Sequence, residues 1–376
     1  MKKYLMTPGP VPVSTEVSLA EARPLIGHRG ADFSALFAGI ETKLGRLLKT
    51  SGKTVIFPAS GTGALESLSV NFTGPDTKVI SVSCGVFGDR FREITALTGA
   101  SIVNVDVTPG EGVNPGVVAE AVAKNPDASV LLLTQNETST GVFNRVDEIV
   151  SAIPQKNRPL VLVDSVSSIG TMPCYPEEWG VDAVATASQK GLLTPPGLGL
   201  VWLSERGWDA VSKRKCNNYY FDLMRQKKDL YKEAPDNPYT PPVSLYYALD
   251  AALDEISSDG WFELRSRAAR ALAAGIDSLG FELLVKEEKF RSPGVTAFFH
   301  PSGDTSAIAK SLKALGVEPA GGQGKFKGKL IRMSHYHDVR WPEISLALGS
   351  LYAALGDHRA RAGDFVRRAF EVWEAK

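Results

Sequence analysis

Val181-Asp182-Ala183-Val184-Ala185-Thr186-Ala187-Ser188-Gln189-Lys190-Gly191 runs from a buried strand into a loop that delivers a lysine. The first seven residues are short-chained, mostly apolar and β-branched, as a strand inside a sheet requires. Beyond the lysine comes Leu192-Leu193-Thr194-Pro195-Pro196-Gly197-Leu198-Gly199. Two prolines and three glycines within residues 191–200 forbid a continuing helix. Lys190 therefore stands at the C-terminal end of a strand on a stiff, irregular loop. An amine that attacks a carbonyl needs such a place: rigid support, partial desolvation and a lowered pKa. Taken alone, Ser188 to Gly191 also suit a solvated loop lysine.

The same pattern recurs upstream. Thr54–Phe57, Val79–Ser83, Ser101–Val107, Ser129–Thr134 and Leu160–Val163 read as strands. Helical spacing fills 33–49, 64–72, 87–98, 115–124 and 146–153, and Leu198–Leu203 is a further strand. The wholly apolar 129–134 run suits a sheet covered on both faces. Polar residues gather where strands end, in Gln135-Asn136-Glu137-Thr138-Ser139-Thr140-Gly141 and in Asp164-Ser165-Val166-Ser167-Ser168-Ile169-Gly170. The expectation is an α/β fold: a doubly wound, mainly parallel sheet with its ligand at the strands' C-terminal edge. Residues 205–240 read as irregular. Pro241-Pro242 opens a long helix over about 243–258. Helices over 262–279, 305–315, 342–355 and 359–375, with strands near 281–285, 294–299 and 329–334, describe a smaller C-terminal α+β domain. The expected division is an N-terminal arm (1–20), a large domain (21–250) and a small domain (251–376), with the 243–258 helix bridging the two.

Bulk properties narrow the function. A chain of 376 residues suits two domains of an α/β enzyme. Acidic and basic residues balance at 42 each, which argues against a nucleic-acid partner. Lys213-Arg214-Lys215 and Lys227-Lys228 read as solvated loop charges. The three cysteines, Cys84, Cys174 and Cys216, have neither metal nor disulfide spacing, which fits a reducing cytoplasm. No signal-peptide core or bilayer-spanning run is visible.

Four strand-end features belong together. Pro58-Ala59-Ser60-Gly61-Thr62-Gly63-Ala64 places small residues between a strand and a helix. It is either a plain tight turn or an anion cradle, in which backbone N–H groups and the hydroxyls of Ser60 and Thr62 face a single phosphate. Neither the dinucleotide glycine pattern nor a Gly-Lys-Ser/Thr phosphate loop is present. Phe87, between Gly85 and Gly88, is either a core residue or a plane on which a flat ring stacks. Asp164 is either a capping aspartate or a carboxylate for a pyridine nitrogen. The proline-set arm, Leu5 to Ser14, either only docks or closes over a ligand, with Gly9 permitting close approach. A planar phosphorylated aldehyde explains amine, cradle, aromatic lid and carboxylate at once. Pyridoxal phosphate is that cofactor.

At these residues the chain resembles the class V aminotransferases of fold-type I, within them the alanine/serine–glyoxylate aminotransferase group. The carriers are Thr7-Pro8-Gly9-Pro10, His28-Arg29 with Phe33, and Ser60-Gly61-Thr62-Gly63-Ala64-Leu65-Glu66. Glu137-Thr138-Ser139-Thr140-Gly141, Val163-Asp164-Ser165-Val166-Ser167-Ser168, Ser188-Gln189-Lys190-Gly191 and Thr240-Pro241-Pro242-Val243-Ser244 complete the set. The resemblance implies that Lys190 forms the Schiff base and shuttles a proton, and that Asp164 binds the pyridine nitrogen. It implies phosphate contacts from Gly61, Thr62 and Gln189, and Thr138 near the ring hydroxyl. Thr240, with Tyr239, is implied to reach the phosphate of a neighbouring subunit, making a homodimer with active sites at the subunit interface. Arg332 is implied to hold the substrate α-carboxylate, helped by the Gly9 backbone.

Three departures from the group stand out: Phe87 where tryptophan is common, His28-Arg29-Gly30-Ala31-Asp32-Phe33 in place of His-Arg-Ser-Pro-Glu-Phe, and His335 with His337 beside the arginine strand. The histidines read as surface or outer-layer groups. The expected reaction is ping-pong transfer of an amine from serine or alanine to an oxoacid such as glyoxylate, with no metal. Without an assured second arginine, aspartate and glutamate are less suited as donors. Alternatives are a small amine such as aminoethylphosphonate, a cysteine-desulfurase-like lyase, and a catalytically silent subunit. The lyase needs a cysteine in the C-terminal part, and the last one here is Cys216.

Overall fold

The computed structural model describes residues 3–156, 158–300, 305–355 and 363–375. Seven short strands form the central sheet: β1 (Thr54–Pro58), β2 (Lys78–Ser83), β3 (Ser101–Asp106), β4 (Val130–Thr134), β5 (Leu160–Asp164), β6 (Ala183–Ala187) and β7 (Leu198–Leu203). Their order across the sheet is β1-β7-β6-β5-β4-β2-β3. Every pair from β6 through β3 is parallel, and β7 is antiparallel to both β1 and β6. It follows that β1 runs with β6, and that β7 alone is reversed. β4, β6 and β7 are buried at every residue, which is why their sequences carry apolar runs without alternation. The edge strand β3 alternates between exposed and half-buried positions instead.

Parallel strands end at one edge, and the polar segments leave the sheet there. α1 (Gly61–Phe72) follows β1 and α2 (Val86–Ala96) follows β2. The sequence places the first of these helices from residue 64, three residues late. Ser60 is the true N-cap: its backbone is extended and its Oγ accepts from the Gly63 N–H at 3.3 Å. Gly61, Thr62 and Gly63 are thus the helix's own first turn. Residues 205–240, expected to be irregular, contain two helices, Glu205–Ser212 and Leu223–Leu230, capped by Ser204 and Asp222. A third unforeseen helix, Thr15–Glu21, is capped by Ser14. All three are short, and the cap was the readable signal rather than the periodicity.

Two hydrophobic cores divide the chain. The larger surrounds the seven-stranded sheet. The helix Val243–Ile256, expected to bridge the domains, buries Tyr246, Leu249 and Leu253 in this larger core. The bridging role falls to the next helix, Trp261–Ser278: Trp261 belongs to the larger core, Leu272 and Ile276 to the smaller. A second, antiparallel sheet is ordered Glu282–Leu283, Val295–Phe299, Leu330–Ser334, Ala320–Gly321. The helix expected over 359–375 lies in part outside the described residues, and Asp364–Glu374 is helical.

The N-terminal arm sews the two cores together. Tyr4–Leu5 pairs with Val317–Glu318, and Met6 joins the smaller core. The Ser334 N–H donates to the Met6 carbonyl and its Oγ to the Thr7 carbonyl, both at 2.7 Å. Four residues on, the Val11 N–H donates to the Gln189 carbonyl at 3.2 Å. The arm is therefore held on one side by the strand of Arg332 and on the other by the loop of Lys190.

Candidate active site

The stiffness of the Lys190 loop has visible causes. Ser188 Oγ donates to the Pro195 carbonyl at 2.7 Å and accepts from the Leu198 N–H at 3.1 Å. Gly191 packs backbone against backbone: a Cβ there would stand 2.3 Å from the Ile169 carbonyl oxygen. Lys190 opens in part to a cavity of about 310 Å³ and is otherwise packed round with protein. Its Nζ donates to the Pro8 carbonyl. Desolvation first, and then the nearby charge of Arg332, push its pKa down to about 8. Gly9 (φ +121°) crosses directly over this side chain, and a Cβ there would lie 2.7 Å from Lys190 Cε. Gly9→Ala is expected to lift the arm at a cost of about 1–3 kcal/mol. Faster proteolytic cleavage within residues 3–14 would report it.

Asp164, the last residue of β5, is buried on the same cavity wall. The Val166 N–H donates to Oδ1 at 2.9 Å. Burial dominates and raises its pKa to about 7, against the pull of that N–H and of the Lys190 and Arg90 charges. A carboxyl whose folded pKa stands above its unfolded value of 3.8 favours folding in acid, and loses that contribution as pH rises through about 7. Asp164→Asn is therefore expected to raise the Tm of the cofactor-free protein above pH 7. The gain over wild type should vanish near pH 4 in the same melts.

The remaining wall is assembled from the other strand ends. Ser60, Gly61, Thr62, Gln189 and Phe87 all line the cavity. First-turn amides of α1 have no acceptor within the helix, so they face outward as donors. A Cβ at Gly61 would come within 2.9 Å of both Val166 methyls, which confines this position to glycine. Gln189 buries an Oε1 that has no partner among the described residues, and rotation of its amide offers NH₂ to an anion. The Phe87 ring centroid lies 5.8 Å from Lys190 Nζ.

Thr138 also lines the cavity, and Arg332 stands against it rather than on the wall itself. Arg332 Nη1 donates to the Thr138 carbonyl at 2.9 Å and Nε to the Gly321 carbonyl at 3.0 Å. Among the described residues no carboxylate pairs with this buried guanidinium, whose pKa burial lowers. A buried cation without a counter-ion favours an anionic ligand.

Tyr239 and Thr240 are not brought to this cavity. Tyr239 stacks on Tyr220 with ring centroids 5.1 Å apart, and Thr240 is exposed. His335 is not a surface group: it is fully buried between Thr296 Oγ1 (3.0 Å) and the Pro293 carbonyl (2.6 Å), whereas His337 is half-buried. Desolvation drives His335 down to about 3 and His337 to about 4.

Residues the sequence reading did not single out complete the site. Arg90 lines the cavity, its Cζ 4.9 Å from the Phe87 ring centroid. Asn136, Ser167 and Tyr336 form a network behind Thr138: Thr138 Oγ1 donates to Ser167 Oγ at 2.7 Å, and Asn136 Nδ2 donates to Ser167 Oγ at 2.9 Å and to the Tyr336 hydroxyl at 3.3 Å. Asn136 and Ser167 stood in strand-end polar clusters, and that was their signal. Arg90 and Tyr336 gave none.

An amine of lowered pKa, a buried carboxyl, a helix-end anion cradle and an aromatic plane thus share one cavity. Residues 16–334 match the family model for class-V aminotransferases. The chain belongs to this family. It is a pyridoxal-phosphate-dependent aminotransferase with the α/β architecture of fold-type I, and the cradle, Asp164 and Lys190 fit that cofactor. The chain is 33% identical over 364 residues to the soluble hydrogenase small subunit of Synechococcus sp., covering 95% of this chain and 94% of the relative. It is 31% identical over 369 residues to the serine–glyoxylate aminotransferase of Methylorubrum extorquens, covering 94% and 90%. Among solved structures, the ureidoglycine–glyoxylate aminotransferase of Bacillus subtilis superposes with a TM-score of 0.92 at 26% identity, covering 100% and 99%. No helix among the described residues is long and apolar enough to cross a membrane.

Proposed function

We propose that this aminotransferase moves the amine of a small amino acid, serine or alanine, to an oxoacid such as glyoxylate in two successive half-reactions. The observation that carries the reading is the convergence of Lys190 and Asp164 on a cavity of about 310 Å³ with Arg332 against its Thr138 wall. The glyoxylate in the names of the serine-using relative and of the solved structure supports the acceptor class.

The bound cofactor supplies an electron sink for charge developing on the substrate's α-carbon. The chain's own groups do the rest. Lys190 Nζ, partly neutral near pH 8, takes the proton from the α-carbon and returns it on the other side of the transfer. The Asp164 carboxylate would hold the cofactor's protonated ring nitrogen, and that cation would draw its pKa back down. Ser60, Gly61, Thr62 and Gln189 would hold the phosphate and Phe87 would pack on the ring. Arg332 holds the substrate α-carboxylate with its planar fork, and Gly9 closes the arm over it. Tyr239 and Thr240, which stay away from their own chain's cavity, would complete the phosphate site of a second copy in a homodimer.

One observation favours a second reading of the donor. Arg90 lines the cavity, and no carboxylate pairs with it among the described residues. It suits a donor with an acidic group away from the amine-bearing carbon, such as the side-chain carboxylate of aspartate or the phosphonate of aminoethylphosphonate.

The test is a half-reaction. The loaded protein receives L-serine, L-alanine, L-aspartate or aminoethylphosphonate singly while the absorbance of the bound cofactor is followed. Discharge by serine or alanine, reversed by glyoxylate, supports the first reading. Discharge by aspartate or the phosphonate alone replaces it with the second. A loaded protein that no donor discharges overturns both.

A further inference from the structure

The proposed reaction leaves the buried carboxylate of Glu137 unused. Glu137 is fully buried, three residues past the end of β4 and beneath the first turn of α2. It accepts from the Phe87 N–H at 3.1 Å, the Gly88 N–H at 3.0 Å, the Ser139 N–H at 3.0 Å and Ser139 Oγ at 2.5 Å. Ser139 Oγ in turn accepts from the Val86 N–H at 3.0 Å, so its own proton is free for Glu137. Both oxygens meet only donors, and no acceptor is left for a carboxyl proton: this is the geometry of an ionised group. Desolvation raises its pKa while these four donors oppose the rise. The position is crowded as well: a Cβ on Gly85 would lie 2.6 Å from Glu137 Cδ and 2.5 Å from Ser139 Oγ.

We propose that Glu137 is a positioning residue, whose carboxylate locks the first turn of α2 so that Phe87 keeps its place over the cavity, and whose buried negative charge adds to the field around Lys190. Three features beyond helix capping support this. First, Glu137 binds the backbone of Phe87 itself, the aromatic wall of the cofactor site. Second, the next residue, Thr138, gives its carbonyl to Arg332 and its hydroxyl to Ser167. The segment therefore ties the aromatic wall to the substrate arginine through two adjacent residues. Third, its charge acts on Asp164, Lys190, Arg332 and Cys84, favouring the protonated form of each.

The experiment compares wild type, Glu137→Gln and Glu137→Asp. Three measurements are made: the pH midpoint of Lys190 labelling by an amine reagent in cofactor-free protein, the Kd for pyridoxal phosphate by equilibrium dialysis, and the circular dichroism induced in the bound cofactor. Gln keeps the shape and removes the charge; Asp keeps the charge and withdraws it by one methylene. Glu137→Gln is expected to move the labelling midpoint to lower pH, to raise the Kd about tenfold and to weaken the induced dichroism. Glu137→Asp is expected to keep the wild-type midpoint and still raise the Kd and weaken the dichroism. Those outcomes separate charge from reach, which a merely structural carboxylate would not do. A folded Glu137→Gln protein with the wild-type midpoint and Kd overturns the proposal. If Glu137→Gln does not fold, Glu137→Asp decides: a wild-type Kd and dichroism overturn it, and a raised Kd with an unmoved midpoint supports it.

Discussion

Replacing Lys190 with alanine is expected to lower amine transfer by at least about four orders of magnitude. Among the described residues Lys190 is the one amine on the cavity wall, and its lowered pKa comes from packing and from Arg332, so no neighbour inherits the property. The substitution should leave the fold intact. It removes a desolvated, partly charged group whose recorded hydrogen bond is the one to the Pro8 carbonyl. The cofactor should still bind through the α1 amides, Gln189, Asp164 and Phe87, without its covalent link. Single-turnover absorbance with L-serine or L-alanine checks this, with melting curves as the control. A Lys190→Ala protein that kept even a hundredth of the wild-type rate would remove Lys190 from the chemistry.

Arg332→Leu is expected to lower kcat/KM for the amino donor roughly 100- to 1000-fold, the worth of two charge-assisted hydrogen bonds to one carboxylate. Arg332→Lys keeps the charge and loses the fork, and should recover about tenfold of that loss. The cost has a structural share, because the Thr138 and Gly321 carbonyls lose their donor. Removing a buried, unpaired cation offsets it in part. The two contributions separate by measurement: a substrate role appears in KM for the donor with the Kd for pyridoxal phosphate unchanged, and a purely structural role moves both. Because Arg332 depresses Lys190, the leucine variant should also label Lys190 with a higher pH midpoint than wild type. An unmoved midpoint and an unmoved KM together would place Arg332 outside the site.

Sequence by itself determined the alternation of strands and helices, the strand-end position of Lys190 and Asp164, and the small-residue turn of Ser60 to Gly63. All are local properties: an apolar β-branched run, a proline-glycine loop and a capping serine act over a few residues, so they survive without knowledge of what packs against them. Local signals also failed where they were weak. The helices Glu205–Ser212 and Leu223–Leu230 span eight residues each, too few for their amphipathic pattern to stand out from the stretch around them. The domain bridge moved from Val243–Ile256 to Trp261–Ser278 because the Pro-Pro start marks where a helix begins and says nothing of which core it fills. Only the tertiary structure decided the environment of each group. It laid the Pro8 carbonyl on Lys190, set Arg332 against a carbonyl 194 residues away, put Arg90 on the cavity wall and buried His335. The physical reason is that desolvation and charge add over everything within reach in space. The amine of Lys190 is a common lysine in the chain, and becomes a base near pH 8 only when two cores and an N-terminal arm close around it.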